Sequence, residues 1–215
     1  MDRGIFITVE GPDGAGKTSL IQALAPMIEK ATQHELVLTR EPGGIPIAEK
    51  IRTIILDPKH TEMDERTEAL LYAAARRQHL VEKVIPALDR KAIVLCDRFV
   101  DSSLAYQGAG REIGMVEIAS INEFACDGIT PDVTLYIDVE SELGLERIAK
   151  GRKTTEVDRL DNEALDFHKK VRTGYLELVK ANPDRILTID GSVSIEEVAN
   201  TCFNRLKERF PEFIN

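Results

Sequence analysis

Tryptophan is absent from this chain, and aromatic residues of all kinds make up only 5% of it. Long apolar runs are also missing, because no stretch approaches the ~20 residues that a membrane-spanning helix needs. A glycine-rich motif begins already at Gly11, which leaves no room for a signal peptide ahead of it. We therefore expect a cytoplasmic protein with no membrane partner.

Cysteine is scarce as well. The three cysteines are Cys96, Cys126 and Cys202, an odd number without the spacing of a metal site or a disulfide framework. The four histidines form no ligand pair with them. We expect buried, reduced thiols and no metal site built from cysteine and histidine.

Basic residues are fewer than acidic ones, 28 against 37, which gives a net charge of −9 and an isoelectric point near 5.1. Non-specific binding to nucleic acid needs a basic face that matches the polyphosphate, so we expect no nucleic-acid partner. The 215 residues are 43% hydrophobic, and no linker rich in proline, glycine or serine divides them. Length and composition predict a single domain over residues 1–215.

What the chain does carry is a phosphate-binding motif directly after a β-type run at residues 5–9. The motif reads Gly11-Pro12-Asp13-Gly14-Ala15-Gly16-Lys17-Thr18. In such a Walker A loop the backbone N–H groups cradle the phosphates, Lys17 reaches the β- and γ-phosphate oxygens, and Thr18 is a ligand of Mg²⁺. Apolar residues at helical spacing follow the loop. The motif therefore predicts a nucleoside triphosphate site.

Short β-type runs alternate with long amphipathic stretches along the rest of the chain. After residues 5–9, the pattern predicts strands at residues 35–39, 92–96, 133–138 and 185–190. It predicts further helices at residues 47–56, 64–88, 115–126, 141–150, 161–180 and 194–209. This alternation is typical of an α/β fold of the P-loop NTPase type, with a parallel five-stranded sheet covered by helices on both faces. Ligands of such a sheet bind beyond the carboxyl ends of its strands.

Further polar motifs lie on the loops that follow predicted strands and on the helix between them. They are Thr39-Arg40-Glu41-Pro42-Gly43-Gly44, Tyr72-Ala73-Ala74-Ala75-Arg76, Asp97-Arg98 followed by Ser103, Tyr106 and Gln107, and Pro131-Asp132. In order and spacing these motifs closely resemble the thymidylate kinase family, from residue 5 to about residue 198. One departure is Tyr72, where that family usually has phenylalanine.

The resemblance implies transfer of the ATP γ-phosphoryl group to thymidine 5′-monophosphate (dTMP), giving dTDP on the route to dTTP for DNA synthesis, with Mg²⁺ as cofactor. An acceptor monophosphate is mostly ionised near pH 7, since its second pKa is about 6, so it needs charge screening and no general base. We expect Arg40, Arg52 and Arg98 to screen it, and Asp97 to hold a water bound to Mg²⁺. Taken alone, Arg52 also fits a solvated helix residue, and Arg40-Glu41 a surface ion pair.

Base recognition is predicted from two helical faces. Tyr72 and Arg76 offer an aromatic plane and a donor fork, although their spacing also suits an ordinary stacking pair on an exposed helix. Gln107 offers both a donor and an acceptor and Arg76 only donors, which favours thymine over cytosine. The resemblance adds that Tyr106 crowds the sugar C2′ position and that Asp13 contacts the 3′-hydroxyl, where Asp13 alone could simply shape its turn. The predicted substrate contacts are Asp13, Arg40, Glu41, Arg52, Tyr72, Arg76, Arg98, Ser103, Tyr106 and Gln107.

Basic residues are concentrated between Arg147 and Arg159, in a stretch without strong apolar periodicity. The resemblance implies a mobile lid at about residues 147–160 that carries a catalytic arginine, because positions 14 and 15 of the phosphate loop hold no charge. Arg147 and Arg152 are both candidates, and a solvated, charged helix end is the other interpretation. With Lys17 and Arg98 they make up the predicted catalytic set. The resemblance further implies a homodimer formed through helix packing.

Two other functions share features with this sequence. A deoxynucleoside kinase phosphorylates a neutral 5′-hydroxyl and needs a general base, for which Glu41 is available, but its acceptor site does not need three arginines. A nucleotide-dependent switch of the GTPase type shares the phosphate loop. The chain carries no N-K-x-D motif for guanine, and no D-x-x-G switch motif outside the phosphate loop.

Overall fold

The structure is a computed structural model in which residues 3–151 and 163–215 are described. Five parallel strands form one sheet in the order β2-β3-β1-β4-β5. The strands are β1 (Ile5–Glu10), β2 (Leu36–Arg40), β3 (Ile93–Asp97), β4 (Val133–Asp138) and β5 (Ile186–Asp190). The predicted parallel sheet is confirmed, and every strand boundary lies within one residue of its predicted position.

The strand register brings polar side chains to a single edge of the sheet. β1 lies between β3 and β4, with Val9 opposite Asp97 and Glu10 opposite Tyr136. Arg40, the last residue of β2, is also opposite Asp97. Since all strands run the same way, their carboxyl ends meet at this edge, where open α/β sheets bind ligands.

The helices largely follow the predicted ranges. They are α1 (Lys17–Lys30), α2 (Pro46–Leu56), α3 (Glu65–His79), α4 (Ile85–Asp89), α5 (Val100–Ser103), α6 (Met115–Cys126), α7 (Ser141–Gly151), α8 (Leu165–Ala181) and α9 (Ile195–Arg209). Within the described residues, the helix predicted from residue 161 begins only at Leu165, because Ala164 has extended backbone and precedes the first turn.

Two π-helical segments were not predicted. Leu80–Val84 joins α3 to α4, so the helix predicted at residues 64–88 is three segments. Leu104–Gly110 continues α5, so the shared face predicted for Ser103, Tyr106 and Gln107 lies on a helix, but on one that becomes π-helical from Leu104. A π-helical turn adds a residue to the helical repeat, which a search for 3.6-residue periodicity does not detect.

The sheet is covered on both faces, as predicted. Ile5, Ile7 and Val9 of β1 pack into a cluster with α1 and α9, while Phe6 packs on the opposite face against the Leu80–Val84 segment and α4. Alternate strand residues point to opposite faces, so a sheet covered twice needs near-continuous apolar strands. All three cysteines are buried and free, as predicted. Within residues 3–151 and 163–215, no helix is both long and apolar enough to cross a membrane.

The phosphate loop is packed tightly against the first turn of α7. A Cβ on Gly14 would lie 2.1 Å from the carbonyl oxygen of Gly144, and a Cβ on Gly144 would lie 2.6 Å from the carbonyl oxygen of Asp13. Gly14 also has a φ of +76°, which side chains other than glycine's adopt only with strain. Two glycines therefore allow the loop to contact the backbone of the helix that leads into the predicted lid segment.

Candidate active site

A cleft of about 900 Å³ opens at the carboxyl edge of the sheet. The predicted site residues that line it are Asp13, Gly14, Ala15, Gly16, Lys17, Thr18, Arg40, Glu41, Arg52, Tyr72, Arg76, Asp97, Arg98, Ser103, Tyr106, Gln107 and Arg147. Gly11 and Pro12 begin the same phosphate loop, and Arg152 lies outside the described residues. The fold thus brings segments that are distant along the chain to one cavity.

Lys17 lies against its own loop. Its Nζ donates to the carbonyl oxygens of Gly11 at 3.0 Å and Pro12 at 2.9 Å. Gly16 has a φ of +86° and precedes α1 without a side-chain cap, so the first N–H groups of α1 face the cleft uncovered by a side chain. Burial, followed by the charge of Arg98, lowers the pKa of Lys17 from 10.5 to about 8. The loop therefore combines backbone donors and one cation, which is the composition of an anion-binding site.

Arg98 connects the phosphate loop to the helical residues after β3. Its Nη1 donates to the Gly11 carbonyl oxygen at 3.0 Å, and its Nη2 donates to Asp13 Oδ1 at 2.5 Å and to the Tyr106 hydroxyl at 3.0 Å. The φ of Arg98 is +68°, so the chain turns sharply where β3 ends. This turn points the guanidinium at the phosphate loop.

Asp13 does more than shape its turn. Its second oxygen accepts a hydrogen bond from the Tyr106 hydroxyl at 2.8 Å, in addition to the contact with Arg98. Burial alone would raise the pKa of Asp13, but the charges of Arg98 and Lys17 outweigh burial and lower it to about 2. The side chain is thus a carboxylate at neutral pH.

Glu10, the last residue of β1, is a fully buried acid that the sequence analysis did not single out. Its Oε1 accepts from the Phe99 backbone N–H at 2.6 Å, and its Oε2 accepts from the hydroxyls of Ser102 at 2.5 Å and Tyr175 at 2.9 Å. Burial, and then the charge of Asp101, raises the pKa of Glu10 to about 7. A charge at the end of an apolar strand is the sequence signal that could have identified it.

Arg76 is 2% exposed and contacts four other residues. Its Nε donates to Glu41 Oε2 at 2.7 Å, its Nη2 donates to the Phe99 carbonyl oxygen at 3.0 Å, and its Nη1 donates to Ser103 and Asn122. These contacts within the described residues use four of the five guanidinium N–H groups. The alternative of an exposed stacking pair with Tyr72 is wrong, because Arg76 is buried.

Glu41 is 4% exposed and has both oxygens engaged. Besides the contact with Arg76, its Oε1 lies 2.8 Å from Nδ1 of His79, whose Nε2 lies 2.7 Å from the Thr39 hydroxyl. Glu41 therefore orients Arg76. The interpretation of Arg40-Glu41 as a surface ion pair is wrong, because Glu41 is buried and Arg40 pairs with Glu49.

Arg40 and Arg52 lie at the more open part of the cleft. Arg40 Nη2 contacts both oxygens of Glu49 at 2.9 and 3.0 Å, and its side chain is 53% exposed. Arg52 Nη1 donates to the Pro42 carbonyl oxygen at 3.0 Å. Both line the same cleft as Arg98, so the structure brings the three predicted arginines to one cavity.

Tyr72 and Gln107 line the cleft between these charged groups. Tyr72 is half-buried and lies one helical turn before Arg76. Gln107 is 1% exposed, and its Nε2 donates to Glu68 Oε1 at 2.7 Å. Glu68 is a second buried acid that the sequence analysis missed.

Asp97 and Thr18 offer oxygen atoms to a cation. Asp97 Oδ1 is buried and has no hydrogen-bond partner within residues 3–151 and 163–215. Thr18 is exposed in the first turn of α1, and both residues line the cleft. Mg²⁺ prefers oxygen ligands and retains several waters, so a buried, unpaired carboxylate oxygen fits a magnesium-bound water.

Two predicted residues have partners away from the phosphate loop. Arg147 Nη1 donates to the carbonyl oxygen of Gly191, just after β5, at 2.9 Å. Asp132 precedes β4 at the opposite edge of the sheet, where it accepts from the Phe6 backbone N–H at 2.7 Å and pairs with Arg3. The Pro131-Asp132 motif therefore has a structural position outside the cleft.

A phosphate loop before the first helix, a parallel sheet with β1 at its centre and three arginines that line the same cleft as the loop define a P-loop phosphotransferase. The comparison with known families is more specific. Residues 9–202 match the family model described as thymidylate kinase, and the chain belongs to this family.

Individual relatives agree with the family match. The chain is 60% identical to a thymidylate kinase of Enterococcus faecalis, over 98% of this chain and 99% of that protein. It is 61% identical to a thymidylate kinase of Latilactobacillus sakei, over 93% of this chain and 92% of the relative. The crystal structure of thymidylate kinase from Ehrlichia chaffeensis superimposes with a TM-score of 0.75 at 34% identity, covering 95% of this chain and 98% of that one. Family membership confirms the predicted activity, ATP-dependent phosphorylation of dTMP to dTDP.

We expect kcat/KM for ATP to fall as pH rises through about 8, because kcat/KM for ATP reports groups of the enzyme to which ATP has not yet bound and Lys17 there loses its proton near this pH. The loss approaches tenfold per pH unit above pH 8. Steady-state kinetics at saturating dTMP between pH 6.5 and 9.5 would measure it. In Lys17→Arg the side chain stays charged, so the decline should disappear whatever the absolute rate. A wild-type profile that stays flat to pH 9.5 would contradict this role.

Proposed function

We propose that ATP binds on the phosphate loop and dTMP binds on the other side of Arg98, so that the two phosphate chains meet at its guanidinium. The observation that supports this arrangement is the pair of contacts from Arg98 to Gly11 and Asp13 of the phosphate loop. Phosphoryl transfer needs alignment of the two reactants and stabilisation of charge more than covalent chemistry from the protein. A planar guanidinium next to the loop suits both requirements.

The three arginines of the cleft are proposed to bind the phosphate group of the acceptor dTMP. Arg40 and Arg52 line the cleft together with Arg98. Glu41, the base that a deoxynucleoside kinase would need, is engaged with Arg76 and His79. A dianionic phosphate oxygen attacks without losing a proton, so the engaged Glu41 is compatible with dTMP as acceptor.

Tyr72, Arg76 and Gln107 are proposed to recognise the thymine base. The Tyr72 ring offers a stacking plane, and the guanidinium of Arg76 has one N–H group beyond those used by the described residues. That N–H group can donate a hydrogen bond to a carbonyl oxygen of thymine. The amino group of cytosine is itself a donor and cannot accept this hydrogen bond. Tyr106 and Asp13, joined by a hydrogen bond at 2.8 Å, are proposed to face the C2′ and 3′-hydroxyl positions of the sugar.

Thr18 and Asp97 are proposed to hold Mg²⁺, Thr18 directly and Asp97 through a bound water. When bound, Mg²⁺ neutralises charge on the β- and γ-phosphates. The protein's own contribution is to place an unpaired, buried Asp97 oxygen at the end of β3 and the Thr18 hydroxyl in the first turn of α1.

Arg98→Ala should lower kcat/KM for dTMP by about 10²- to 10³-fold, because it removes the cation between the phosphate chains. ATP affinity should change less than threefold, since the loop amides and Lys17 remain. Isothermal titration with ATP and steady-state kinetics with dTMP would separate the two effects. Arg66→Ala, an exposed arginine of α3, is the matched control. Equal, small effects on ATP and dTMP would contradict the proposed role.

We further propose a lid at about residues 147–160 whose Arg152 stabilises charge on the transferred phosphoryl group. Arg147 is the less suitable candidate, because one of its N–H groups is bound to the Gly191 carbonyl oxygen after β5. The position of Arg147, bound to the residue that follows β5, suits contact with bound ATP. Positions 14 and 15 of the phosphate loop are glycine and alanine and carry no charge. This supports a catalytic arginine from outside the loop.

We expect Arg152→Ala to lower kcat by about 10²-fold or more and to leave the KM values nearly unchanged. The reason is that the proposed contact between Arg152 and the transferred phosphoryl group forms only in the transition state. Arg147→Ala should instead raise KM for ATP. Kinetics of both variants, with Arg90→Ala as an exposed-arginine control, would test the assignment. The reverse pattern would give the catalytic role to Arg147.

The protein is proposed to act in the cytoplasm, which supplies ATP and dTMP, as a homodimer. α3 packs against both α2 and α6, and each of these helices exposes large apolar side chains. These are Ile47, Ile54, Leu70, Val116 and Phe124, of which Phe124 is 91% exposed. Exposed apolar groups on adjoining helices are typical of a protein–protein interface.

The wild-type dimer should have twice the 24.0 kDa mass of one chain. Phe124→Asp should convert it into a monomer, because the substitution places a charge in the proposed apolar interface. Light scattering after size-exclusion chromatography measures the mass directly. Leu165→Asp on α8, at a residue 37% exposed, should leave the dimer intact. A monomeric wild-type protein, or a dimeric Phe124→Asp variant, would refute the interface.

A further inference from the structure

A buried carboxylate lies directly behind the amide of Gln107. Glu68 of α3 is completely buried, and its Oε1 accepts a hydrogen bond from Gln107 Nε2 at 2.7 Å. The two residues are 39 positions apart in the chain. The contact is therefore a product of the fold and has no local role in either helix.

Arg111 holds the other oxygen of Glu68. Its Nη2 lies 3.3 Å from Glu68 Oε2, and its Nη1 lies 2.6 Å from Glu163 Oε1. The guanidinium also stacks over the Phe167 ring, 4.8 Å from the ring centroid. Because arginine has only donors, this contact fixes the orientation of the Glu68 side chain.

The direction of the Gln107 amide follows from this arrangement. A carboxylate can only accept hydrogen bonds, so the NH₂ end of Gln107 must face Glu68. The carbonyl oxygen of Gln107 is then turned away from Glu68 and left for another partner, and Gln107 lines the cleft. The cleft is thus offered an acceptor, although glutamine itself could offer either an acceptor or a donor.

We propose that Glu68 is a specificity-determining positioning residue, which selects the base of the monophosphate by fixing the polarity of Gln107. The inference rests on the proposed placement of the base beside Gln107. Thymine and uracil carry a ring N3–H that can donate to the amide oxygen, whereas N3 of cytosine is an acceptor and would face another acceptor. Two buried acceptors that face each other raise the free energy of binding, and this penalty is large enough to discriminate strongly against cytosine.

Glu68→Gln is the isosteric test. Arg111 has only donors, so the carbonyl oxygen of the new amide should turn towards Arg111 and its NH₂ group towards Gln107. Gln107 would then rotate and present its own NH₂ group to the base. We expect kcat/KM for dTMP to fall about tenfold and the dTMP:dCMP ratio of kcat/KM to fall by at least that factor, mainly through the KM values of the monophosphates.

The exchanged pair Glu68→Gln with Gln107→Glu provides a second test. The new amide at position 68 would donate to the new carboxylate at position 107, whose other oxygen would again accept from N3–H. Selectivity for dTMP should return towards the wild-type ratio. Glu65→Gln makes the same substitution at an exposed position one turn earlier on α3 and should leave the ratio unchanged.

The outcomes separate the inference from the function on which it rests. If the wild-type enzyme does not prefer dTMP to dCMP, the proposed base site is wrong. If the wild type prefers dTMP but Glu68→Gln lowers activity on both monophosphates equally, and the exchanged pair restores nothing, Glu68 is structural and the inference is overturned. Thermal unfolding of each variant shows whether it folds. If Glu68→Gln does not fold, the dTMP:dCMP ratio of the exchanged pair tests the inference in its place.

Discussion

The contact between the guanidinium of Arg98 and the phosphate loop is the interaction on which the cleft depends. Both Arg98 and Asp13 are largely buried, with side chains 18% and 15% exposed. Removing two charges from water costs several kcal/mol for each ion unless their partners compensate. Here Tyr106 and the Gly11 carbonyl oxygen complete the compensation. The fold itself thus holds the cation beside the phosphate loop, and such a preorganised charge is what the proposed role of Arg98 requires.

A second set of buried charges lies towards the proposed base site. Arg76 is held by Glu41, and Gln107 is held by Glu68. Replacing a buried ion pair with apolar side chains is often neutral or favourable for stability, so stability alone does not explain the ion pairs that Glu41 forms with Arg76 and Glu68 forms with Arg111. They do fix the direction of donors and acceptors, which is what discrimination between bases with similar shapes requires. In the same network both oxygens of Glu41 are engaged, one by Arg76 and the other by His79.

Sequence patterns predicted most of the fold and many of the cleft residues, for local reasons. Strand boundaries such as Val133–Asp138 follow from short apolar runs bounded by turn residues, and the loop from Gly11 to Thr18 is contiguous. The π-helical segment Leu104–Gly110 and the positive φ of Arg98 escaped prediction. The helical spacing of this segment does not distinguish a π-helix from an α-helix, and a positive φ at a single arginine has no sequence pattern, because both arise from the packing around them.

The sequence by itself determined the phosphate loop, the parallel sheet and the family, because each depends on residues that are adjacent or regularly spaced. Only the tertiary structure decided the partner of each charge. Glu41 with His79, Glu68 with Gln107 and Arg147 with Gly191 are 38, 39 and 44 positions apart. Such pairs form where burial removes water and charged groups must be matched by the side chains packed around them, and that depends on three-dimensional packing.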